Sequence, residues 1–483
     1  MEHHTAPPPL IPARLRDLRQ EFRPMFTLAM PVVLAELGWM TMGLVDTLMV
    51  GRIGPEAIGA VGIAGSLFMA VCIFAMGLLL GLDTLVAHAF GAGRLDECHR
   101  WLGYGIALSL LLSIPITVVI LALSSALSGW GLDPSVLRLA QPYLDILAWS
   151  IPPLLLYASF RRYLQGMGAV RPVTAALIFA NILNAVVNWI LIFGRFGAPA
   201  MGVRGSAWAT VLARVVMAGV LLVVIVYRER SQLRSRIHGV RSTDAPRTSL
   251  ARFVSRIDTA PMRRLLALGL PAASQVTLEV GVFAAATAFA GRLAPAALAA
   301  HQIAVNLASL TFMVPLGIAS AGAVRVGHAV GRRDRSGAAR SGWTAILFGV
   351  AFMSLAAAAF LLAPRALIGA FTDDPTVISI GVSLLFVAAL FQLFDGVQAV
   401  STGTLRGLGD TRTPMLWNLA GHWFIGLPLG YTLCFVMGFG VIGLWWGLST
   451  GLIICGIALV IVWARSVRHL DCSDLESQGG THG

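Results

Sequence analysis

The chain has 483 residues, 57% of them hydrophobic and only 12% charged, with a mean hydropathy of +0.80. Soluble domains carry roughly twice that charge, which excludes a water-soluble globular protein. The net charge of +12 comes from Arg alone among the strong bases. These Arg residues sit in short segments between apolar runs, which points to membrane topology and away from a nucleic-acid surface.

The N-terminal stretch "MEHHTAPPPLIPARLRDLRQ" lacks a signal-peptide core and reads as a tail followed by a short basic amphipathic helix. His3 and His4 read as tail residues rather than metal ligands. Apolar segments then fall near 25–50, 57–88, 102–127, 141–160, 172–194, 205–227, 265–290, 297–320, 342–364, 378–402, 414–436 and 440–463. About 20 apolar residues cross a bilayer as a helix. These runs are continuous rather than alternating, which excludes a membrane β-barrel. The predicted class is an all-α membrane protein with twelve transmembrane helices.

Arg residues orient those helices. The odd-to-even turns carry few of them: Arg52, Arg138, Arg195, Arg204, Arg292 and Arg365. Even-to-odd turns and the tails carry most of the rest, among them Arg14, Arg161, Arg162, Arg228, Arg332, Arg333 and Arg465. The positive-inside rule then places both termini in the cytoplasm. The five cysteines show no CxxC or Cys/His metal spacing and read as small buried hydrophobes.

A repeat at an offset of about 240 residues organises the chain. "GRIGPEAIGAVGIA" (51–64) aligns with "GRLAPAALAAHQIA" (291–304), and "VAHAFG" (86–91) with "VGHAVG" (326–331). "DPSV" (133–136) aligns with "DPTV" (374–377), and "LQGMGAVRP" (164–172) with "LRGLGDTRTP" (405–414). Each half holds an even number of spans, so the repeats run parallel, as two six-helix lobes around a central cavity. The predicted organisation is a cytoplasmic tail over 1–22 and an N-lobe over 23–228. A cytoplasmic linker over 229–262, a C-lobe over 263–465 and a cytoplasmic tail over 466–483 follow.

Charges present in only one half point to function, because two cores that pack alike do not need different charges. By the offset, Asp46 stands opposite Ala286, Glu279 opposite Trp39, Asp395 opposite Leu154, and Asn184 and Asn188 opposite Ile425 and Leu429. A carboxylate at a helix centre costs about 2.5–3.5 kcal/mol on insertion scales. Glu279 and Asp395 are therefore candidates to hold a proton, a sodium ion or an organic cation, or to bond two helices together. Gln275 shares a helix face with Glu279, and Phe391 precedes Asp395 by one turn, where an aromatic ring can meet a cation. In the first half, Asp46 combines with Asn184 and Asn188, four apart on one helix face, and with Thr210 as an oxygen-rich cation site; interhelical bonding is the alternative. Sodium is thus placed at Asp46 or at Glu279 and Asp395. Arg214 is expected to pair with Asp46 or Glu36, and Asp83 is a further charge that the apolar runs must satisfy. No P-loop, hydrolase elbow or HExxH occurs, so neither an ATP-driven pump nor an enzyme is predicted, and no cofactor.

The segments "PVVLAELGWMTMGLVDTLMVGR", "LEVGVFAAATAFAGRLAPAALAAHQIAVNLASLTFMVPLGIASAGAVRVGHAVG" and "DGVQAVSTGTLRGLGDTRTP" resemble the multidrug and toxic compound extrusion (MATE) family, in its NorM-like branch. The resemblance covers residues 23–465. It implies a secondary active antiporter that exports cationic, drug-like amphipaths in exchange for H+ or Na+ by alternating access. It also implies acidic cation sites at the positions of Glu279 and Asp395, and at Asp46 with Asn184 and Asn188. The chain departs from the family at Glu36, usually Gln, at Phe391, where sodium-coupled members tend to carry Tyr, and at Asp83, a feature more like eukaryotic relatives. A lipid-linked precursor flippase and a cation channel are the alternatives. The expected setting is a monomer in the lipid bilayer of a bacterial inner membrane, without nucleic acid.

Overall fold

In the computed structural model, residues 15–239 and 258–470 are described. Residues 1–14 of the expected tail over 1–22, about half of the linker and most of the C-terminal tail lie outside them, and residues 15–22 belong to the first helix. Among the described residues there are helices and no strand. The helices are α1 (Leu15–Val50), α2 (Pro55–Leu78), α3 (Gly81–Gly91), α4 (Leu95–Ala126), α5 (Pro134–Ala148), α6 (Ile151–Gly166), α7 (Arg171–Phe193) and α8 (Val203–Gly239). They continue as α9 (Thr259–Ala290), α10 (Pro295–Gly331), α11 (Arg335–Leu362), α12 (Pro364–Gly369), α13 (Pro375–Leu408), α14 (Arg412–Val436) and α15 (Gly440–Arg468).

Eleven of these helices, with α2 and α3 counted as one span, are long and apolar enough to cross a membrane; the bent pair α5 and α6 makes a twelfth. Large side chains such as Leu111, Ile114, Val118, Val223 and Leu355 are more than 60% exposed on them. An outer surface this apolar suits lipid and not water.

The repeated motifs are helix starts and stops. "DPSV" and "DPTV" each supply an Asp N-cap and a Pro in the first turn. Asp133 accepts from the Ser135 amide at 2.7 Å, and Asp374 accepts from Thr376 N at 2.8 Å and Val377 N at 3.3 Å. Pro55 and Pro295 also stand in the first turn of α2 and α10, which have no side-chain cap. At the other repeated end, Gly409 closes α13 with φ 94°, a left-handed conformation that glycine adopts without a steric cost.

The fourth span departs from the expected single helix over 141–160. It is broken into α5 and α6, bent by 50°. Pro152 and Pro153 lack amide hydrogens and crowd the preceding turn, so helical bonding cannot run through them. Leu393 and Phe394 occupy the aligned positions of α13, and that helix runs unbroken for 34 residues.

The chain divides into two compact units, and they do not follow the sequence halves. One comprises residues 1–36, 87–93 and 274–483; the other comprises 37–86 and 94–273. Close backbone packing explains the exchange of segments. Within the first unit, a Cβ on Gly317 of α10 would sit 2.7 Å from Val33 Cα of α1, so the start of α1 packs there. Within the second, a Cβ on Gly77 of α2 would sit 2.5 Å from Ala273 Cα of α9. Small residues allow this approach in an apolar setting, where dispersion replaces the hydrophobic effect.

Candidate functional site

In the second unit, α1, α7 and α8 bring Asp46, Asn184, Asn188 and Thr210 together. All four are buried. Asn188 Nδ2 donates to Asp46 Oδ1 at 2.5 Å and to Asn184 Oδ1 at 3.1 Å. The Thr210 hydroxyl lies 3.0 Å from Asp46 Oδ2 and 3.1 Å from the Ser206 carbonyl. The four-residue spacing of the two Asn residues therefore puts their amides in contact on one face of α7. Both oxygens of Asp46 receive a neutral donor. Among the described residues, Asn184 Nδ2 and Asn188 Oδ1 are buried without a hydrogen-bond partner.

Arg214 lies in the electrostatic field of Asp46, and its hydrogen bond goes to another group. Among the described residues its direct contacts are Ser150 Oγ, to which it donates at 2.5 Å, and the Phe68 ring, whose centroid lies 4.6 Å from the guanidinium carbon. Ser150 sits at the break between α5 and α6, where its hydroxyl accepts from Arg214 and donates to the Leu147 carbonyl. Asp83 is fully buried and forms an ion pair with Arg162 at 3.1 Å. Glu36 is buried on α1, 9% exposed.

In the first unit, α9 and α13 supply the candidate carboxylates. Asp395 is 7% exposed. It lies close enough to Glu279 for each to feel the other's charge, and Cys455 of α15 lies in the field of both. Among the described residues neither carboxylate forms an ion pair. One turn before Glu279, Gln275 Nε2 donates to Thr402 Oγ1 at 3.4 Å, which ties α9 to α13. Phe391 packs against Trp445 with ring centroids 5.6 Å apart. Trp445 Nε1–H donates to His301 Nδ1 at 3.0 Å, so the ring hydrogen of neutral His301 is on Nε2, 3.0 Å from Thr287 Oγ1. Phe283, His301, Phe391 and Trp445 line one pocket; Phe283 and Phe391 stand one turn along α9 and α13 from Glu279 and Asp395.

Gln398, Asn418 and Thr402 join this cluster without having been singled out in the sequence. Gln398 lies beside Glu279 and donates from Nε2 to Asn418 Oδ1 at 2.7 Å. Its signal was its position three residues after Asp395 on one helix face. Asn418 lies on another helix, and nothing in its spacing marks it. In α14 it ends the first α-helical turns and begins a π-helical stretch, Leu419–Gly426. Such stretches occur often at functional sites.

The fold is that of a polytopic helical membrane protein with one buried acidic cluster in each compact unit. The MatE family model matches it twice, over residues 31–190 and 271–432, and the chain belongs to the MatE family. A probable multidrug resistance protein NorM of Mesorhizobium japonicum is 39% identical over 460 residues, covering 93% of this chain and 95% of its own. The multidrug resistance protein NorM of Burkholderia vietnamiensis is 37% identical, covering 93% of this chain and 94% of its own. A crystal structure of the eukaryotic MATE transporter AtDTX14 shares the fold with a TM-score of 0.80 at 21% identity, covering 94% of this chain and 99% of that one.

Proposed function

We propose that this protein is a secondary active multidrug efflux antiporter that exports cationic amphipathic compounds in exchange for protons or sodium ions by alternating access. The observation that carries the reading is the pair Glu279 and Asp395, two carboxylates within each other's field in apolar surroundings and with no basic partner among the described residues. Such a pair favours a bound cation, since each charge otherwise stands uncompensated in a poor solvent. A proton, a sodium ion and an organic cation all satisfy it, and they compete for it. Competition at one charge makes the coupling reciprocal: the ion weakens drug binding by the factor by which the drug weakens ion binding. A site that must be filled in order to change state then exchanges one cation for the other.

Two features of the relatives support the same reading: NorM proteins are named for multidrug resistance, and the similarity extends over most of both chains. The proposal includes a monomer in a bacterial inner membrane, both termini cytoplasmic, with no cofactor and no enzymatic step. A flippase for phosphate-bearing lipids calls for basic groups where Glu279 and Asp395 stand.

Asp395→Asn, which keeps the shape and removes the charge, is expected to abolish ion-driven efflux of ethidium from proteoliposomes while the protein inserts normally. Efflux at the wild-type rate would overturn the proposal.

A further inference from the structure

The orientation of Gln398 can be read outward from a backbone group. The Pro414 carbonyl can only accept, and it lies 2.8 Å from the Asn418 side chain, which must turn its amide nitrogen toward it. Asn418 Oδ1 therefore faces Gln398, and the atom of Gln398 that meets it at 2.7 Å must be the donor Nε2. Gln398 Oε1 is fixed by the same bond. It belongs to a side chain that is 1% exposed, and among the described residues it has no hydrogen-bond partner.

This arrangement is not required by packing. The aligned positions in the first half of the sequence are Tyr157 and Leu177, which form no such amide pair. Nor is it remote from the acidic cluster: Gln398 follows Asp395 by three residues on one face of α13, and its side chain lies beside Glu279. A buried carbonyl oxygen without a donor is costly, and a cation removes that cost. Carbonyl oxygens beside carboxylates are the usual ligands of a desolvated cation inside a membrane.

We infer that Gln398 binds the coupling cation through Oε1, together with Glu279 and Asp395, and that Asn418 is the positioning residue that holds this oxygen in place. The inference rests on the antiport reading above and names a further ligand of that site. The shared chemistry is a small cation that seeks oxygen, and a proton and sodium are its two sources.

The test uses the full-length protein in proteoliposomes, with ethidium efflux measured against the concentration of the driving ion in a proton arm and a sodium arm. Gln398→Met keeps the length of the side chain and removes the oxygen. In whichever arm drives the wild type, it is expected to raise the half-saturating ion concentration about 10-fold. Asn418→Leu releases Gln398 without touching the ion, and is expected to raise it about 3-fold. Unchanged half-saturation in both variants, with or without a lower Tm, overturns the inference and leaves the antiport reading standing. If neither gradient drives the wild type, both fall. If Gln398→Met does not fold, Asn418→Leu decides alone.

Discussion

Asp46, Asp83 and the Glu279 and Asp395 pair are charges of one kind in apolar helices, and their surroundings separate them. Asp83 has Arg162 at 3.1 Å and is fully buried. Asp46 has two neutral donors. Asp395 has a second carboxylate. The first is an ion pair whose loss should be structural. Arg162→Met removes the ion-pair partner at 3.1 Å from Asp83 and is expected to destabilise the protein by about 3–5 kcal/mol. The double variant Asp83→Leu/Arg162→Met should be markedly less damaged, because no charge is left behind. Thermal midpoints in detergent check this, and a double variant as unstable as the single would contradict it. The candidate acids were legible in the sequence because a lone charge in an apolar run stands out. Their partners were not. Nothing in the spacing of Arg162 and Asp83, or of Asn418 and Gln398, brings them together, since each pair is made by two helices packing. Arg214 shows the same limit: its contact with Ser150 depends on a hydroxyl exposed at a helix break.

The helices themselves were largely legible, because the sequence repeats are the caps and stops that bound them. The α5 start makes this testable. The Asp133 carboxyl is held below the usual carboxylate range first by the Ser135 hydroxyl and then by the Ser135 amide. A depressed carboxyl stabilises above its unfolded value and loses that contribution as pH falls through the folded one. Asp133→Ala is therefore expected to speed amide exchange in the first turn of α5 at neutral pH. The difference from wild type should close as pH falls below about 4, near the ordinary Asp value. Hydrogen exchange of residues 135–140 measures it, and a difference that is independent of pH would contradict the cap. The break between α5 and α6 was also present in the sequence, as Pro152 and Pro153. Hydropathy smooths over it, because both pieces are apolar. The π-helical stretches of α14 have no such signature, since the residues around Asn418 are as apolar as those of any span.

At the scale of the molecule, the repeat predicted two halves, and the family model matches each of them. The compact units redraw that division. They exchange the start of α1, residues 87–93 and the first part of α9, because glycines such as Gly77 and Gly317 let backbones meet where hydropathy alone shows only apolar residues. Each unit keeps one acidic cluster of its own. The central claim is exchange, in which the cation bound at Glu279 and Asp395 moves against the exported compound. Proteoliposomes loaded with ethidium test it most directly, with an imposed inward proton gradient, an imposed inward sodium gradient, and neither. Efflux should require at least one of the two gradients, and an opposing ethidium gradient should drive that same ion the other way. Efflux that proceeds equally with both gradients collapsed would contradict the account.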